Sequence, residues 1–153
     1  MRNNNCNTIT MTRLIMAFSA LMILTACNTK EIIRYEYKST TMLGSRTLTI
    51  TKDSVISSYS GRIESNRQAR KTTAQEWEAL KTSANGIKLE EIRDLKSPTN
   101  RRATDAAPFG KVMLTTADST YRSASFDGYE SHEMLKPLME VIKEIANSVD
   151  KEE

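Results

Sequence analysis

Three times between Glu31 and Ser60 the chain alternates apolar and polar residues with a period of two, and only a few residues separate the stretches. From Glu31 to Met42, Ile33, Tyr35 and Tyr37 alternate with Arg34, Glu36 and Lys38. After Gly44-Ser45, Leu48 and Ile50 alternate with Thr47, Thr49 and Thr51; after Lys52-Asp53-Ser54, Val55 to Ser60 forms a third stretch. Such alternation is the mark of half-buried strands. A parallel crossover needs a dozen or more residues, so these connections dictate an antiparallel meander.

The remainder is read around that meander. Gly61 to Thr72 is basic and aperiodic, an extension of the third strand or a loop. Thr73-Ala74-Gln75-Glu76 fits a capping box that opens a helix carrying Trp77, Leu80 and Ala84, and Asn85-Gly86 fits its stop. Trp77 is expected in the core. Leu89, Ile92 and Leu95 suggest a second short helix before Ser97-Pro98. Val112 and Leu114 mark a fourth strand, Ala117-Asp118-Ser119 a hairpin turn, and Thr120 to Phe126 a fifth strand. Leu135, Leu138, Met139, Ile142, Ile145, Ala146 and Val149 form the apolar stripe of a last helix, with Pro137 in its first turn. The order β-β-β-α-α-β-β-α predicts an α+β single domain: an antiparallel sheet of about five strands with helices on one face.

The N-terminus reads as an address. Leu14 to Leu24 is an uncharged apolar run after Arg13, too short for a comfortable bilayer span. Leu24-Thr25-Ala26-Cys27 resembles the lipobox of bacterial lipoproteins, in which an aliphatic and two small residues precede an obligatory cysteine. The resemblance implies cleavage after Ala26, a thioether-linked diacylglycerol on Cys27 and a further acyl chain. Two or three chains hold a protein stably on a membrane. Asn28 stands where aspartate is the family's usual inner-membrane retention signal, so the outer membrane is expected. The resulting division is residues 1–26 as signal peptide, 27–30 as lipidated tether and 31–150 as the domain. Met11, followed by Thr12-Arg13, is a second candidate start.

Charge excludes one class of partner. The full chain is +3, but Arg2 and Arg13 precede Cys27 and every acidic residue follows it. The mature chain is left with 20 basic and 19 acidic residues. Little net charge remains to displace counterions from a phosphate backbone, so no nucleic acid partner is expected. Loss of Cys6 and acylation of Cys27 would leave the mature domain, of about 125 residues, without a thiol, held by its core alone.

Catalytic chemistry finds little to work with. His132 is the single histidine, so no metal site and no cofactor is expected, and the residue reads as a polar group at the last helix's entry. Asp94, Asp105, Asp127 and Glu133 supply carboxylates without a spacing that pairs them. Met42, Met113, Met134 and Met139 read as core filler. Two groups stand out as binding candidates: Arg101, Arg102 and Asp105 for an acidic partner, and Arg62, Arg67, Arg70 and Lys71 for anionic headgroups. The resulting expectation is a lipid-anchored envelope protein, not an enzyme, that binds an envelope protein or holds an assembly in place. The alternatives are a carrier or sensor of a small apolar or anionic ligand, lined by Tyr35, Tyr37, Trp77 or Tyr121, and a carboxylate enzyme using His132.

Overall fold

Seven strands make one antiparallel sheet in the computed structural model, which describes residues 30–104 and 106–149. The first four follow each other as a meander: β1 (Ile32–Thr40), β2 (Gly44–Thr51), β3 (Ser54–Gly61) and β4 (Ser65–Lys71). After helix α1 (Ala74–Ala84) and 3₁₀ turns at Leu89–Asp94 and Arg101–Thr104, the chain returns as β5 (Phe109–Thr116), β6 (Thr120–Arg122) and β7 (Phe126–Asp127). A 3₁₀ turn, Glu133–Leu135, leads into α2 (Lys136–Val149). The strands lie in the order β4-β3-β2-β1-β5-β6, and β7 pairs with β5. The α+β antiparallel expectation holds at that level; the sheet is larger than five strands, and the element order differs.

Each difference has a local cause. Gly61 to Thr72 contains a true fourth strand, because an edge strand can satisfy its inward residues with polar partners and so need not alternate apolar with polar. The expected helix at Leu89–Leu95 is a 3₁₀ turn, Leu89–Asp94: a three-residue apolar repeat matches three residues per turn, not 3.6. The expected fifth strand, Thr120 to Phe126, is broken at Ser123. Its N–H donates to the Val112 carbonyl (3.0 Å) while its Oγ accepts from the Val112 N–H (3.0 Å), so a side chain takes a ladder position. At the start of β1 the register against β5 shifts between Ile32 and Arg34. Ile32 therefore packs against the core, and Ile33, expected to face inward, is exposed.

The strand register aligns two apolar rows on one face. Tyr35 lies between Ile50 and Leu114, and Tyr37 between Leu48 and Val112. Against these rows pack Trp77 and Leu80 of α1 and Leu138, Ile142 and Ile145 of α2. The Tyr35 and Trp77 rings meet edge to face, 5.6 Å apart at 83°. Burying one such aliphatic side chain contributes about 1.5–3 kcal/mol, so the stripe of α2 is the main clamp on the sheet. Helix α1 begins as its sequence predicts: Thr73 Oγ1 accepts from the Glu76 N–H (3.2 Å), and Glu76 Oε2 accepts from the Thr73 N–H (2.9 Å). Its stop is followed by Gly86 at φ +87°, a conformation that favours glycine.

Candidate functional site

One end of the sheet gathers the turns β1–β2 and β3–β4 and the segment entering β5. The two turns touch through the Arg62 N–H, which donates to the Leu43 carbonyl (3.2 Å). Four large apolar side chains stand in solvent here: Met42 at 77 % exposure, Leu43 at 72 %, Ile63 at 99 % and Phe109 at 43 %. Thr40 to Leu43 and Ala106 to Phe109 line a groove of about 430 Å³. A monomeric domain rarely leaves apolar side chains clustered in this way unless something covers them. Met42 is therefore not core filler, in contrast to Met139, which is buried.

The loop that leads into the groove-lining segment is fixed by Asp127. This carboxylate is buried, and it accepts from Thr99 Oγ1 (2.5 Å), the Arg101 N–H (2.6 Å), the Arg102 N–H (3.1 Å) and Arg102 Nη1 (2.9 Å). Burial pushes its pKa up; the donors from Thr99, Arg102 and Arg101 outweigh that and hold it well below the usual carboxylate range. A second layer is more open: Arg101 Nη2 lies 2.7 Å from Glu130 Oε1, with both side chains about half exposed. Tyr37 closes the arrangement from the core side by donating to the Gly128 carbonyl (2.7 Å). Burial first, and the neighbouring Tyr129 second, push the Tyr37 hydroxyl well above its ordinary value, so it stays a donor. Gly110 completes the joint, since a Cβ there would collide with the Gly128 carbonyl.

The sequence candidates are thus redistributed. Arg102 is largely buried against Asp127 and holds the loop; Arg101 remains half in solvent beside Glu130; Asp105 lies outside the described residues. Cys27 and the cleavage residues Leu24, Thr25 and Ala26 also lie outside them. The group Arg62, Arg67, Arg70 and Lys71 is split. Arg70 turns to the helix side to meet Glu76 and Ser148, Arg62 sits in the β3–β4 turn, and Arg67 and Lys71 stay exposed on β4. His132 Nδ1 accepts from the Met134 N–H (3.3 Å) at the entry to the last helix. Asp94 and Glu133 are exposed, and Asp127 is committed to the clasp. Among the described residues no group of three or more potential metal ligands comes together. Tyr35, Tyr37 and Trp77 are buried in the packed core rather than around a cavity. Tyr121 lines a groove of about 650 Å³ with Leu89, Ile92, Arg93 and Arg122 among its neighbours.

Sequence reasoning missed the Asp127 clasp and the apolar end. Asp127 meets Arg102 across 25 residues, beyond any local motif. Met42-Leu43 was visible as an apolar pair inside a turn, a signal that turns are usually polar enough to lack. No protein-family model matches the chain, and no curated protein matches it either. No helix among the described residues is long and apolar enough to cross a membrane.

Proposed function

We propose that this protein is a lipid-anchored, non-enzymatic module of the bacterial cell envelope, held to the outer membrane through Cys27, that binds an envelope protein with the apolar end of its sheet. The observation that carries the reading is the cluster of Met42, Leu43, Ile63 and Phe109, exposed together beside a groove whose wall is held at Pro108 by the Gly128 N–H and follows a loop pinned by a buried carboxylate. Pinning matters because a loop ordered before binding loses less entropy on binding. The cluster sits at the opposite end of β1 from Ile32, where the tether enters, roughly 26 Å away along the strand. The anchoring half of the reading is supported by the lipobox resemblance alone.

Two measurements test it. Labelled palmitate is incorporated by the parent and not by Cys27→Ala, and the variant leaves the membrane fraction. A photoreactive residue at position 43 gives a discrete adduct in intact cells that Ile63→Asp suppresses, whereas the same group at Glu144 on α2 gives none. Equal crosslinking from both positions would overturn the assignment of the surface. A second reading, a carrier of a small anionic ligand, is favoured by the Tyr121 groove with Arg93 and Arg122 on its lining. Native mass spectrometry of protein purified from its source would reveal such a ligand, and Arg93→Ala would lose it.

A further inference from the structure

The face of the sheet turned away from the helices carries almost all of one sign of charge. Its outward positions include Arg34 and Lys38 on β1, Arg67 and Lys71 on β4, Lys111 on β5 and Arg122 on β6, all exposed. Among the outward positions of β1 to β6, Glu36 is the single acidic side chain; Asp127 of β7, which pairs with Phe109, is buried in its contacts with Thr99, Arg101 and Arg102. The mature chain is nearly neutral, so the remainder of the molecule is net acidic and the domain is electrically two-sided. The net charge of the whole chain conceals this division.

The register makes the asymmetry costly. Lys38 on β1 is the direct cross-strand partner of Lys111 on β5, and the same row continues through Thr47 and Ser58 to Arg67. Like charges directly opposite each other, with Cβ atoms about 4.5–5.5 Å apart, destabilise a sheet. Among the described residues no ion pair joins any of these six cations to an acid. Two lysines side by side without a counter-ion are relieved by an anion that spans both.

The shape narrows the anion's source. Thr47 and Ser58 keep the row between Lys38 and Arg67 low, Ile56 and Met113 stand in the next row, and six strands at about 4.8 Å spacing make the face roughly 24 Å wide. A broad surface of this kind matches a plane better than a chain in a groove. We propose that this face rests on the anionic headgroups of the membrane to which the protein is tethered, with Lys38 and Lys111 sharing headgroup phosphates. The proposal rests on the lipid-anchor reading, which brings the face within reach: Ile32 is the fifth residue after Cys27, and five extended residues span at most about 18 Å. It regroups the basic residues of the sequence: Arg67 and Lys71 belong to the face, and Arg70 does not. A domain lying this way presents Met42, Leu43 and Ile63 sideways along the membrane.

The test uses the lipidated protein in phosphatidylcholine vesicles with and without phosphatidylglycerol, labelled by a water-soluble amine reagent. Lys38, Lys71 and Lys111 report the sheet face; Lys81, Lys136 and Lys143 report the helix side. With phosphatidylglycerol the face lysines are protected at least about fivefold relative to the helix lysines, the effect of roughly one charge at such a surface. Protection disappears without phosphatidylglycerol or in high salt. Lys38→Gln with Lys111→Gln, both exposed and tolerant of change, removes the protection of Lys71. Equal labelling of both sides with phosphatidylglycerol overturns the proposal, as does protection that appears only when an acidic protein is added. Failure of the anchor is seen separately: the protein then no longer floats with pure phosphatidylcholine vesicles, and salt-sensitive flotation with phosphatidylglycerol still reports the face.

Discussion

Arg70 grips Glu76 with both ends of its guanidinium: Nη2 lies 2.6 Å from Oε1 and Nη1 2.9 Å from Oε2. Glu76 is also the last residue of the α1 capping box, and Arg70 Nη2 reaches Ser148 on α2 (2.6 Å). One side chain of the edge strand therefore ties β4 to the start of one helix and the end of the other. The Arg70 hydrogen bonds are the main cause that keeps the Glu76 carboxyl below its ordinary value, reinforced by Thr73 and opposed by burial. Arg70→Ala is expected to cost about 1–3 kcal/mol, the range for hydrogen bonds to charged groups. A double-mutant cycle with Glu76→Ala, followed by urea denaturation, should return a coupling above about 0.5 kcal/mol; a value near zero would show the pair to be ornamental.

Acid should loosen the loop from Thr99 to Arg102 before it unfolds the sheet. The Asp127 carboxyl is held below its unfolded value of about 4, so its contribution to stability is fully present above that pH and is lost as pH falls below it. Glu76 acts in the same direction. The midpoint of urea denaturation should fall steeply below about pH 4 in the parent, and Asp127→Asn should flatten that slope while lowering the midpoint at pH 7. The protection factors of the Arg101 and Arg102 amides, taken relative to intrinsic exchange at each pH, should fall first. Unchanged protection there at low pH would separate the clasp from the titration.

Gly110→Ala should be worse than Gly86→Ala. At Gly110 the new Cβ meets the Gly128 carbonyl and the Phe126 ring, parts of the framework that fixes the Asp127 loop. Overpacking of this kind costs about 1–3 kcal/mol. At Gly86 nothing lies within 4 Å, and the strain comes only from the positive φ, roughly 1–2 kcal/mol. Thermal unfolding of the two variants gives the ranking, and only Gly110→Ala should weaken crosslinking from position 43.

Legibility followed the range of each interaction. Thr73 and Glu76, three residues apart, announced α1, and the stripe from Leu135 to Val149 announced α2, because both signals are local. Strand β4 stayed hidden because its inward residues, Asn66, Gln68 and Arg70, are as polar as its outward ones. Ser123 hid the break between β6 and β7, since a serine replacing a backbone partner leaves no periodic trace. Arg101 and Arg102 stand out in the sequence as candidates for an acidic partner, yet what Arg102 binds is a buried aspartate of the same chain, and no spacing rule connects them. The Lys38–Lys111 pairing needed the register of two strands separated by half the sequence.

The polar outer strand has a consequence for crowded copies. Molecules gathered on a shared surface meet edge to edge far more often than molecules free in three dimensions, and an open row of amides would invite them to zip together. Strand β4 borders the sheet with Arg67 and Lys71 flanking its exposed length, and mutual repulsion between such borders keeps neighbours apart. On the anchored reading proposed above, the same basic residues that make this edge hard to recognise as a strand would let many copies share one membrane without fusing into a continuous sheet.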